Sequence, residues 1–151
     1  GAYVIAPRNV AKQLNVPFVD ATKITHDIET GMGIKGSRKL HMWFMPGENP
    51  QVPKGKKDNT HYNVYGARVV AGALADAVAE QVPALKSHVC HYDYVVSAEG
   101  RGNFMDLQEA VDAVPVGKKA VIRILGGEWK KPIIGKGMKI KFVKSFGAKI
   151  K

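Results

Sequence analysis

Asp58-Asn59-Thr60-His61-Tyr62-Asn63-Val64-Tyr65-Gly66-Ala67-Arg68 sets a carboxylate and an imidazole three residues apart, directly ahead of a long apolar-striped segment. Asn63 is a favoured helix N-cap. Beyond it Tyr65, Val69, Ala73, Leu74, Ala77 and Val78 recur at three- and four-residue spacing, which predicts a helix over 64–82 with one buried stripe, ended by Pro83. Ala71, Gly72, Ala73 and Ala75 keep that helix slim enough to lie close to a sheet. Asp58 and His61 are expected on the loop before it. An Asp so placed can take the imidazole Nδ1–H and leave Nε2 to accept a proton from a hydroxyl nucleophile. The spacing alone decides little, because Asp58 could equally pair with Lys56 or Lys57 as an ordinary surface carboxylate.

Working outward, the chain changes grammar near Val89. Upstream it reads as helices joined by loops. Residues 4–14 form a short amphipathic segment, and Val16-Pro17-Phe18-Val19-Asp20 is an apolar run of strand length. Asp20 or Thr22 can cap a helix to about Thr30, stopped by Gly31-Met32-Gly33, and residues 45–57, with three Pro and two Gly, predict an irregular loop. Downstream, residues 94–98 look like a strand and Asn103 is expected to start a helix ended by Pro115. Short alternating runs follow at 120–125, 138–143 and 148–151, punctuated by Gly126-Gly127 and Gly135-Lys136-Gly137. Such close spacing predicts a coil-by-coil β architecture with few rungs.

The 45% apolar content is that of a globular protein, and no run approaches a membrane span. Cys90 is alone, so no intrachain disulfide is possible. The net charge of +10 is unevenly placed: residues 1–117 balance twelve Lys/Arg against twelve Asp/Glu, whereas 118–151 hold eleven Lys/Arg against Glu128 alone. That stretch could bind a polyanion, form the solvated face of a strand array, or balance acidic sequence elsewhere in a parent chain.

Residues 58–67 resemble the last catalytic block of the SGNH, or GDSL-type, hydrolases, and within them most closely the bacterial rhamnogalacturonan acetylesterases. The likeness extends back through Asn9-Val10-Ala11-Lys12-Gln13-Leu14-Asn15-Val16-Pro17-Phe18-Val19-Asp20, Lys39-Leu40-His41-Met42-Trp43-Phe44 and Pro46-Gly47-Glu48-Asn49-Pro50. It implies the C-terminal part of a flavodoxin-like α/β sheet over 1–89, with His61 as general base toward a Ser and Asp58 orienting it. The reaction implied is deacetylation of a pectic polysaccharide; Trp43 and Tyr62 could line the substrate groove or pack in the core. The Gly-Asp-Ser block of that family is expected upstream, and Ser37, Ser87, Ser97 and Ser145 lie in the wrong contexts to replace it. The chain is therefore expected to be inactive alone and to need the flanking parts of its parent.

Residues 94–104 and 107–115, followed by Ala120-Val121-Ile122-Arg123-Ile124-Leu125-Gly126-Gly127-Glu128-Trp129, resemble the opening of a pectinesterase. That resemblance implies the first strands and capping helix of a right-handed parallel β-helix over 90–151, with Asp106 and Asp112 as solvent-facing helix residues. A secreted or periplasmic location follows from the two likenesses. No cofactor, metal, nucleic acid or membrane partner is expected: His88-Val89-Cys90-His91 lacks a second ligand cluster, and residues 31–37 lack the Gly-Lys-Ser/Thr of a phosphate loop. His26 and His41 read as helix-surface or loop histidines. The alternative function is a non-catalytic polyanion-binding module using the Lys-rich end.

Overall fold

The computed structural model describes residues 2–151 as a mixed α/β protein of two compact units, divided between Val89 and Cys90. In the first, helices α1 (Ala2–Leu14) and α2 (Ala21–Ser37) lead through a 3-10 turn at Arg38–Leu40 into strands β1 (His41–Phe44) and β2 (Lys56–Tyr62). Helix α3 (Val64–Gln81) and a 3-10 segment at Pro83–His88 follow. Helix α1 ends because Asn15 adopts φ 50° and the Val16 N–H returns to the Ala11 carbonyl at 3.0 Å, a left-handed C-terminal cap. The apolar run after it is not a strand. Pro17 has no N–H to give, among the described residues no strand pairs with the run, and Asp20 turns away to cap α2 through the Lys23 N–H at 3.0 Å. Helix α2 does not stop at Gly31: the chain breaks locally at Gly33 (φ 67°) and resumes helix to Ser37.

Strands β1 and β2 pair antiparallel, His41 opposite Tyr62 and Trp43 opposite Lys57. Between those two pairs Asp58, Asn59, Thr60 and His61 lie opposite Met42 alone. The expected loop is thus a wide bulge within a strand, a device that re-aims side chains without ending the pairing. Asn63 caps α3 as expected, its Oδ1 accepting the Gly66 N–H at 2.9 Å, while its Nδ2 donates to the Lys39 and His41 carbonyls, each at 2.8 Å. The helix stripe is rotated from expectation: Gly66, Val70 and Ala79 are buried and Tyr65 is 48% exposed. Close approach at Gly66 sets that rotation, since a Cβ there would lie 2.0 Å from the Leu40 carbonyl oxygen.

In the second unit β3 (Tyr94–Val96), β4 (Lys119–Ile124) and β6 (Lys139–Lys144) form a parallel sheet in that order. Strands β5 (Gly127–Trp129) and β7 (Ala148–Ile150) form a two-stranded parallel one. Val96, Ala120, Ile122, Ile124, Trp129 and Ala148 face inward against Leu107, Ala110 and Val111 of helix α4 (Leu107–Asp112). Asn103 does not start that helix; its Oδ1 accepts the Val95 N–H at 2.8 Å, holding the turn after β3. Asp106 is the cap instead, accepting the Gln108 and Glu109 N–H groups at 2.7 and 3.1 Å, so it lies just outside the helix. Directly after Gly126 the chain enters strand β5, which pairs with β7 as the Trp129 ring buries and its Nε1–H reaches the Leu125 carbonyl at 3.1 Å. Two small parallel sheets make this unit; they do not amount to a closed β-helix.

Candidate active site

The bulge in β2 folds around one carboxylate. Asp58 Oδ1 accepts the backbone N–H groups of Thr60 and His61 at 2.8 and 3.0 Å, the local competition with ladder bonds that short acidic side chains provide. Its Oδ2 lies 2.8 Å from His61 Nδ1 and 3.2 Å from Lys56 Nζ. The Asp58 side chain is 14% exposed and that of His61 70%. The two backbone N–H groups, then the imidazole and Lys56, hold the Asp58 carboxyl well below the usual carboxylate range. An ionised, fixed carboxylate against Nδ1 selects the tautomer with its proton on that nitrogen. Nε2 then carries the lone pair on the exposed side, bonded to no protein group among the described residues.

Trp43, beside the bulge and opposite Lys57, donates from Nε1 to Asn59 Oδ1 at 2.7 Å, and the Arg38 guanidinium sits 4.3 Å and Lys57 Nζ 6.0 Å from its ring centroid. One ring face is thus occupied by a cation. Tyr62 pairs with His41 where the bulge ends. Its hydroxyl donates to Glu29 Oε1 at 2.8 Å, and its ring stacks on His41 with centroids 4.8 Å apart. Burial and the Glu29 carboxylate both push the Tyr62 phenol up. His41, expected at the surface or in a loop, is 6% exposed, its Nε2 lying 3.3 Å from Glu29 Oε1 and its Nδ1 buried without a hydrogen-bond partner among the described residues. Trp43 and His61 are therefore both tied to the bulge, whereas Tyr62 anchors the strand behind it.

Glu29, His41, Asn59 and Arg38 were invisible as a group in the sequence. The pairing that joins them runs between a helix and a strand hairpin, so no local spacing marks it.

Over 101 residues the chain is 37% identical to the rhamnogalacturonan acetylesterase RhgT of Bacillus subtilis (strain 168), a match that takes in 67% of this chain and 41% of that protein. That similarity supports an SGNH-type hydrolase-like region. The similarity supports a carbohydrate-esterase-like segment, and the chain spans less than half the length of this relative. A match of 101 residues is longer than the first unit, so it runs past Val89. No family model matches the chain, and no solved structure matches it significantly.

Proposed function

We propose that this chain carries the His/Asp end of a Ser-His-Asp carbohydrate acetylesterase acting on rhamnogalacturonan-type polysaccharide. The observation that carries the reading is the 2.8 Å contact of Asp58 with His61 Nδ1 on a bulge that leaves the imidazole 70% exposed. In this mechanism Nε2 takes the proton of a Ser hydroxyl, supplied by an upstream part of the parent, as its Oγ attacks the acetyl carbonyl. The resulting imidazolium is stabilised by Asp58 and then protonates the departing sugar oxygen. A water molecule, deprotonated by the same Nε2, releases acetate from the acyl-enzyme. Trp43, tied to the bulge through Asn59, borders the saccharide, whereas Tyr62 holds the strand behind His61 through Glu29 and His41.

In the same reading the Cys90–Lys151 unit is the opening of a pectinesterase-type parallel β-helix. Its support is the in-register parallel stacking of β3, β4 and β6 beside β5 and β7. A pectic substrate implies action outside the cytoplasm.

The test is acetate release by a chimera in which this chain replaces the matching region of the Bacillus subtilis relative. Acetylated rhamnogalacturonan should be deacetylated faster than acetylated xylan. Equal rates on both would remove the substrate assignment, and no release from a folded chimera would remove the esterase reading itself.

A further inference from the structure

Across the bulge of β2, Asp58, Asn59, Thr60 and His61 lie opposite Met42 alone, so the ladder itself specifies weakly where the bulge ends. A one-residue slip of β2 would carry His61 into the place that Tyr62 holds opposite His41. The bonds of Asp58 do not oppose that slip. They run to Thr60, His61 and Lys56, all on β2, and would travel with the strand. Asn63 does cross to the Lys39 and His41 carbonyls, but every register offers backbone carbonyls.

Glu29, on helix α2, contacts side chains instead. Its Oε1 accepts the Tyr62 hydroxyl at 2.8 Å and lies 3.3 Å from His41 Nε2. Those two residues are the pair that closes the bulge, and their rings stack with centroids 4.8 Å apart. One oxygen thus meets both members of the closing pair from an element outside the hairpin. A residue's shift of either strand, about 3.3 Å, takes one of them out of reach. The arrangement has a cost. A proton on His41 Nε2 leaves Nδ1 bare, and that atom is buried with no hydrogen-bond partner among the described residues. A stacked apolar pair would fill the same place without an orphaned nitrogen, so stability does not account for the trio. Polar groups buried at such a cost fix register in coiled coils.

We infer that Glu29 is a positioning residue: through Tyr62 and His41 it locks the register of β2 on β1 and so fixes where the His61 imidazole stands. Its meaning for catalysis rests on the reading of His61 as a base, where loss of the lock would lower kcat rather than raise KM. A polar cluster that only stabilised the unit would act on the melt and leave the place of His61 alone.

The experiment is NMR relaxation dispersion on the His61 ring in the full chain, well below the melt, with the melt of each variant recorded. Y62F keeps the ring stack and removes the hydroxyl, E29A removes the shared acceptor, and E29Q keeps an oxygen in its place. V70A loosens the same unit elsewhere, through a buried side chain of α3. In Y62F and E29A a second, folded environment of His61 should become about fivefold more populated, the worth of one hydrogen bond. E29Q should stay within about twofold of the unaltered chain, and E29A/Y62F should do no more than E29A alone. V70A should lower the melt without populating that environment. No rise in either Y62F or E29A, an equal rise in V70A, no rescue by Gln, or a minor state with the signals of the unfolded chain would each overturn the inference. The readout needs neither a Ser nor acetate release, so its failure is distinct from that of the esterase reading.

Discussion

At the scale of single residues, Asp58 does two things at once: it shapes the bulge through two backbone N–H groups and fixes the His61 ring. Because its carboxyl is held below the ordinary value, its contribution to stability is complete above about pH 4 and is lost as pH falls through the folded value. Asp58→Asn should therefore melt below the unaltered chain at pH 6, with the gap closing toward pH 2; a gap independent of pH would contradict this. Nitrogen-detected NMR of the His61 ring should find the proton on Nδ1 and a bare Nε2. A proton on Nε2 would mean the imidazole is not held as a base. The Asp-x-x-His spacing was legible in the sequence. Its choice between surface pair and oriented base was not, because that depends on a bulge created by pairing with β1. His41 and Glu29 were illegible for the same reason, being brought together only when α2 packs behind the hairpin.

Among the elements, α3 shows how local signals and packing divide the work. Its start at Asn63 and end near Pro83 follow from capping and proline chemistry and could be read directly. Which face turns inward could not, because Gly66 rather than the larger side chains sets the contact with the Leu40 backbone. Gly66→Ala should destabilise the first unit by about 3 kcal/mol or more, since backbone on both sides must move. Gly72→Ala, with open space around its Cβ, should instead gain roughly 0.5–1 kcal/mol from helix propensity. Thermal melts of the two variants check the pair; a similar loss in both would show that helix propensity, not close approach, governs α3. The run at Val16 failed as a strand because length and apolarity do not supply a pairing partner. Strands β4, β6 and β7 succeeded because alternation and glycine turns mark strands that do find partners.

For the molecule as a whole, the second unit packs a buried cluster around Val96, Ile122 and Ile124, and in the first unit Leu40, Val70 and Ala79 are buried. If each unfolds on its own, Leu40→Ala and Ile122→Ala should each lower one transition by about 2–5 kcal/mol and leave the other in place. A single transition lowered by both substitutions would show one cooperative structure. The change of grammar near Val89 was readable because helix-period and strand-period patterns differ. The acetylesterase similarity runs past that point, beyond the expected end of the resemblance at residue 89. The role proposed for His61 is that of the base of an acetylesterase. Its most direct test is kcat/KM for acetate release by the chimera with the Bacillus subtilis relative, with and without His61→Ala. Removing the base should cost about a thousandfold or more, whereas a folded variant losing less than about tenfold would contradict the account.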